Sequence, residues 1–503
     1  MKTATRIAPA VLALAVIAPG ALADVTVKSH PSEIEYAEFQ FDPPSASDYR
    51  YELSNGATVY MAPSSELPLI TVSFSFKGGS FLEPADKTGL ASMTGQMIRR
   101  GGTVSMPADE FNEEIDFLAA NIGARIGRTQ ASANVNSLAA NFDESFELFM
   151  NMVRNPGFDA EKFEILRNEQ IENMKQRNDS PDAIMGREWS RLMWGEDHFE
   201  SRVSTESTIN SITIDDMRNF HRMIYNPNNL IVSVTGDFEP KQMLTMLEGA
   251  ISNWEPGQMM PNPPKPTNEP TPGVYYVEKD IPQGKVRIGH RGIQRDDPDF
   301  FPISIMNDVL GGGGFTSRIM NRVRSDEGLA YGAGSSFQSR VYYPGQFLST
   351  FASKNLTVAL ATRIIFEEFD KIQNDEVTDE EIDTAKNSFI ETFPRFFESK
   401  AGMLGIFVDD QWTDRDPNYW RTYRENVENV TKADVQTVAR DHIDPSKAAI
   451  LVVGNWEEIY KGNVETETDP NRQSSMADFY GGTSTEVPLR DPMTQKPIES
   501  DGN

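Results

Sequence analysis

Two stretches, TIDDMRNFHRMIYNPNNLIVSVTG over Thr213–Gly236 and TKADVQTVARDHIDPSKAAILVVG over Thr431–Gly454, read as one unit written twice. Thr213, Asp216, Pro227 and Gly236 stand 218 residues before Thr431, Asp434, Pro445 and Gly454, with no gap. Each copy carries an apolar run between its proline and its glycine, ending in LIVSVTG or AAILVVG, and an aromatic follows, Phe238 or Trp456. Upstream, FDAEKF from Phe158 and VTDEEI from Val377 agree at an offset of 219, and Thr378 with Glu381 has the spacing of a capping box. Self-similarity of this kind predicts a duplicated architecture. The chain therefore reads as two copies of one α/β unit of roughly 200 residues.

Composition sets the boundaries around these copies. Residues 1–23 have the form of a secretory signal: Lys2 and Arg6, an apolar run from Ile7 to Ile17, then Ala21-Leu22-Ala23 as a cleavage site. A lead-in over 24–47 precedes the first copy, 48–254. The second copy, 274–461, is reached through residues 255–273, where seven prolines predict an extended, semi-rigid strap. After Lys461 the chain turns polar, and a disordered tail is expected over 462–503.

The 503 residues suffice for two or three domains. A net charge of -28 repels nucleic acid and anionic membrane surfaces, so neither is an expected partner. No segment after the signal has the 18 or more apolar residues that a membrane helix needs, and the chain has no cysteine for a disulfide, a thiolate ligand or a lipid. An exported, soluble protein is expected, periplasmic in a Gram-negative source.

Within the first copy, Thr58–Met61 and Leu69–Phe76 read as strands, the second with Ile70, Val72, Phe74 and Phe76 alternating with Thr71, Ser73 and Ser75. Gly89–Arg99 reads as a helix stopped by Gly101-Gly102, and a second helix follows Pro107 with Phe111, Ile115, Leu118, Ala119 and Ile122 on one stripe.

In the second copy, GGGGFTSRIMNRVRSDEGLAY from Gly311 to Tyr331 holds four successive glycines, expected to open a helix that runs into Arg324. Such a run is either a flexible turn or a place where a ligand's main chain approaches the backbone closely. It is not a phosphate loop, because Phe315, Thr316 and Ser317 follow where Lys and Ser/Thr are required. Arg324 and Tyr331, taken singly, read as a solvated charge and a core tyrosine.

The run resembles the C-terminal half of the pitrilysin/insulinase-family zinc peptidases, in which a Gly-rich turn, a Ser-Arg pair (Ser317, Arg318), an arginine and Gly-Leu-x-Tyr (Gly328, Leu329, Tyr331) recur in this order. The resemblance implies an α+β fold: two homologous α/β-roll domains, of the mitochondrial-processing-peptidase-like metallohydrolase type, facing each other as a clam. It also implies that Gly311, Gly312, Gly313 and Gly314 align an extended peptide. Arg324 and Tyr331 would then hydrogen-bond that peptide beside the metal, with Arg322 competing for the arginine role.

The first copy is similar to the zinc segment of the same family over Gly78–Thr103, where Gly79-Ser80, Glu83, Gly89 and Ala91 keep the frame. The H-x-x-E-H histidines then fall on Ser92 and Gln96, and the catalytic glutamate on Gly95. A hydroxyl and a neutral amide replace imidazole poorly, and glycine cannot serve as a general base. Glu172 is a possible remnant of the third ligand, with Glu169 competing for the alignment. The five histidines, His30, His198, His221, His290 and His442, include no i+3 or i+4 pair and read as surface or hydrogen-bonded core residues.

Losing the zinc helix while keeping the Gly-rich run and the Arg/Tyr pair resembles the non-catalytic subunit of a heterodimeric zinc endopeptidase. That reading expects no cofactor on this chain, zinc in a homologous partner with an intact H-x-x-E-H helix, and peptides or unfolded proteins as substrates. The alternative is a periplasmic peptide-binding or scaffolding protein with no role in proteolysis. A self-sufficient peptidase with an unfamiliar metal site is the third possibility.

Overall fold

The computed structural model describes residues 41–498, so the expected signal segment, 1–23, lies outside the described residues. Each half builds a six-stranded sheet. In the first are β1 (Arg50–Glu52), β2 (Thr58–Pro63), β3 (Leu69–Lys77), β4 (Asn121–Ile126), β5 (Gln130–Leu138) and β6 (Leu230–Gly236). In the second are β7 (Gly273–Glu278), β8 (Gln283–Arg291), β9 (Ala330–Gln338), β10 (Gln346–Lys354), β11 (Ala449–Gly454) and β12 (Ser484–Glu486).

The strand orders, β1-β2-β6-β3-β5-β4 and β12-β7-β11-β8-β10-β9, repeat five strands in the same sequence order and differ only in the outermost one, β1 against β12. The repeated apolar runs are the parallel partners, β6 beside β2 and β11 beside β7, and every residue of Ala449–Val453 is fully buried. Strands covered on both faces need such continuous apolar runs. The repeated threonines cap the helices that feed these strands: Thr213 and Asp216, like Thr431 and Asp434, close reciprocal capping boxes. Thr378 and Glu381 do the same.

The second expected helix is shorter than its apolar stripe. It spans Ala108–Phe117, Ala119 takes φ 50, and Ile122 belongs to β4. Ile122 is buried all the same, because the strand returns it to the core that the helix faces.

The halves exchange helices. The Pro181–Trp194 helix of the first half packs on β8 and β11, and its Ile184, Met185, Trp189 and Met193 share a core with Val277, Leu348, Leu451 and Val453. Its counterpart 219 residues on, the Lys400–Thr413 helix, packs on β2 and β6. There Phe407 lies 5.8 Å from the Tyr60 ring, Tyr60 donates to Gln411 (2.8 Å), and Trp412 donates to Ser75 (3.0 Å). The two domains thus interlock.

Residues 255–272 form no regular element and are pinned at intervals. Met260 is buried with its N–H on Asn229 (3.3 Å), and Arg291 donates to the Asn268 carbonyl (2.8 Å).

The expectation of a disordered tail is corrected for the described residues 462–498. β12 adds in parallel to β7, in the place that β1 holds in the other sheet. Beyond it Val487 and Leu489 pack on the second core, Arg490 pairs with Glu196 (2.6 Å), and Arg191 donates to Gln495 (3.0 Å). Polar composition misleads here because the segment is held by backbone pairing and side-chain hydrogen bonds, which need few apolar residues. Among the described residues no helix is long and apolar enough to cross a membrane.

Candidate functional site

The Leu90–Arg100 helix carries Ser92, Gly95 and Gln96, on which the resemblance places the family's zinc motif. Its N-terminus is held by Glu83, a buried carboxylate that accepts from the Gly89 N–H (3.2 Å) and the Ala91 N–H (3.0 Å). Burial raises the Glu83 pKa and those two donors oppose the shift. The frame residue is therefore an anchor for the helix.

Ser92 is exposed, and its hydroxyl accepts from Gln96 (3.3 Å). Gly95 is buried against β4: a Cβ there would meet the Ile126 nitrogen at 2.6 Å and the Arg125 carbonyl carbon at 3.0 Å, both backbone atoms. The helix has closed onto the strand, so a glutamate cannot be accommodated without moving β4. Glu172 is exposed and paired with Lys175 (2.6 Å), while Glu169 pairs with Arg100 (2.6 Å). These residues do not fit zinc: a hydroxyl, an amide, a glycine and a committed carboxylate form no donor set.

The Gly-rich run does not open a helix. It closes one: the Phe300–Asn307 helix continues as a π-helical turn, Asp308–Gly312, and a 3₁₀ turn, Gly314–Thr316, separates it from the short helical turns that carry Arg322 and Arg324. Two glycines explain the geometry. A Cβ at Gly311 would lie 2.4 Å from the Ser335 nitrogen, so the wide turn presses its backbone onto β9. Gly314 takes φ +62 and begins the 3₁₀ turn that follows. Gly311 is thereby buried, whereas Gly312 is exposed. Asp308, at the start of the turn, has its pKa raised to about 6 by burial.

Arg324 and Tyr331 are brought together. The Arg324 guanidinium lies 4.7 Å from the centre of the Tyr331 ring and 4.7 Å from that of Phe315. Tyr331 is 88% exposed and Phe315 67%. Neither the guanidinium nor the Tyr331 hydroxyl makes a hydrogen bond or ion pair among the described residues. Arg322 is occupied: it faces Glu367 (3.3 Å) and the buried Glu368 (3.3 Å). Arg318 is occupied as well, by a two-point pair with Glu381 at 2.6 and 2.8 Å. Of the run's three arginines, Arg324 has its donors free. Phe315, which the sequence offers only as the residue that breaks a phosphate-loop pattern, is the second wall of the stack.

His30 lies outside the described residues, and the other four histidines have local roles. His221 is buried and donates to the Val153 carbonyl (2.8 Å), and burial lowers its pKa to about 4. His290 accepts from the Asp444 N–H (3.1 Å), and His198 lies against the Pro264 carbonyl (3.1 Å). His442 meets Asp299 (2.9 Å), with Asp297 close by. Sequence spacing misses this His/Asp/Asp grouping because 143 residues separate His442 from Asp299. It joins the C-terminal end of one helix to the residue that precedes another, and Asp297 is bonded to the Asp299 N–H (3.0 Å).

A family model described as insulinase (peptidase family M16) matches residues 60–205, and one described as the peptidase M16 inactive domain matches residues 211–389. A protein of Helicobacter pylori named non-peptidase homolog YmxG is 22% identical over 395 residues, covering 77% of this chain and 90% of that one. A solved peptidase M16 inactive domain from Pseudomonas fluorescens superposes with a TM-score of 0.71 at 22% identity, covering 80% of this chain and 97% of that one. The periplasmic protease PqqL of Escherichia coli superposes with a TM-score of 0.67 at 15% identity, covering 88% of this chain and 49% of that one.

Proposed function

Because the chain belongs to the insulinase family of peptidases, M16, through matches to both of its halves, we propose that it is a non-catalytic subunit that grips an extended peptide and lends Arg324 and Tyr331 to a zinc-bearing partner. One observation carries this reading. A guanidinium held against two exposed rings, with its donors unspent among the described residues, is arranged to meet something outside the chain, whereas the Leu90–Arg100 helix beside β4 has closed onto its strand. Aromatic faces hold the cation without consuming its N–H groups. Arg324 and Tyr331 then donate to a substrate carbonyl or its oxyanion, and a pre-organised donor of this kind is typically worth about 3 kcal/mol, roughly a hundredfold in rate.

The partner supplies the metal-bound water and the general base, neither of which this chain's residues can provide. That PqqL is about twice the matched length supports pairing, since it has room for two units of this size.

Two measurements test the reading. A tagged chain incubated with extract of its source cell should recover a homologue with an intact H-x-x-E-H helix. Recovery of none, with unfolded peptide still bound, favours the scaffolding role. In the reconstituted pair, Arg324→Ala and Tyr331→Phe should each reduce peptide turnover by at least about tenfold with an unchanged Tm. Wild-type turnover in both variants would remove the assigned role.

A further inference from the structure

A cavity of about 510 Å³ opens against the Gly-rich turn. Its floor is sheet: Arg287 of β8 stands beside Thr350 of β10, which stands beside Gly334 of β9. The Gly-rich turn forms one wall, through Gly312, and the exchanged Pro181–Trp194 helix forms another, through Asp182. Gly314 and Gly332 also line it, and these are the chain neighbours of Phe315 and Tyr331, so the Arg324 stack stands at its rim. Both halves of the molecule are needed to make it.

Its charge runs against the rest of the protein. The chain carries -28, yet the ionisable side chains lining this cavity are Lys285, Arg287 and Asp182. Lys285 pairs with Asp182 at 3.4 Å. Arg287 is half-buried and, among the described residues, makes no ion pair and no side-chain hydrogen bond; burial lowers its pKa and the Asp182 charge opposes that shift. With Asp182 shared with Lys285, the Arg287 N–H donors are uncommitted among the described residues, and a carboxylate is the group its planar fork matches.

We infer that this cavity is a carboxylate-binding subsite, in which Arg287 receives an acidic side chain or the C-terminal carboxylate of an extended peptide lying along the Gly-rich turn. The inference rests on the peptide-gripping role proposed above and adds its specificity. The Arg324 stack fixes the main chain at the rim, and Arg287 reads charge within. Because the overall field repels acidic ligands, preference for one arises from this local cation.

The test uses three fluorescein-labelled peptides of one length: alternating Glu-Ala with an amidated C-terminus, alternating Gln-Ala with an amidated C-terminus, and alternating Gln-Ala with a free C-terminus. Fluorescence anisotropy with the full chain should show the Glu peptide, the free-acid peptide or both binding about tenfold more tightly than the neutral one. A preference for the first identifies a side-chain pocket, and for the last a terminus pocket. Arg287→Met should bring the preference below about twofold, while Arg287→Lys should retain part of it. If Arg287→Met fails to fold by circular dichroism, Lys285→Gln, which lowers the same cavity's positive charge, should reduce the preference by roughly threefold.

Equal affinity for all three peptides, or a preference that survives these variants, overturns the subsite and leaves the peptide-gripping role standing. Failure of every peptide to bind overturns both.

Discussion

Gly95, on which the resemblance places the family's catalytic glutamate, has a structural role. With backbone atoms 2.6 and 3.0 Å from where its Cβ would lie, the position cannot return to glutamate without opening the sheet edge. The triple variant S92H/G95E/Q96H, which rewrites the family's motif, should therefore bind no stoichiometric zinc and melt below the wild type. Metal analysis and calorimetry together check this, and one zinc per chain at an unchanged Tm would show the site to be recoverable. His221 supplies a prediction of pH dependence. Buried neutral, it has a folded pKa of about 4 against an ordinary 6.5, so protonation favours the unfolded chain. Its contribution to stability is full above pH 6.5 and is lost as pH falls toward 4, by about 3 kcal/mol. Urea midpoints measured down that range should fall, and His221→Gln should flatten part of the slope. At this scale the sequence announced the loss of zinc donors, which is a matter of atom types. It could not announce that Gly95 touches β4, or that Arg322 is engaged by Glu367 and Glu368 while Arg324 lies against Phe315 and Tyr331.

Among the elements, the exchanged helices govern stability. Trp189 is 1% exposed, sits between the first half's helix and the second half's sheet, and donates to Gln346 (2.9 Å). Trp189→Ala should cost about 4 kcal/mol, read from chemical denaturation, and should weaken both halves together because the helix belongs to one and its core to the other. Loss confined to the first half would contradict the exchange. The Thr378 cap, the two apolar central runs and the alternation in β3 were legible in the sequence, because each depends on neighbours a few residues away. The Gly-rich run was not. Glycine permits several backbones, and which one is used depends on β9, which Gly311 must approach and which is formed by residues beyond the run.

Across the whole molecule, the C-terminal segment closes the second sheet where the first sheet uses its own N-terminal strand. Truncation after Thr483 removes β12, the Arg490 pairs with Glu188 and Glu196, and the Gln495 contact with Arg191. It should lower the Tm by roughly 5 °C or more and, by baring the edge of β7, promote aggregation detectable by light scattering. An unchanged Tm would mean that the strand adds nothing. The duplication, the family and the want of an H-x-x-E-H motif were legible in the sequence alone, since a repeat, a motif order and the donor atoms of a side chain are properties of the chain as written. Tertiary structure alone decided that the halves trade helices, that the polar tail becomes a strand, and that Phe315, Arg324 and Tyr331 stack at the rim of a cavity holding Arg287. Each of these depends on surfaces made by segments far apart in the chain, whose meeting is fixed by packing and backbone pairing rather than by local pattern.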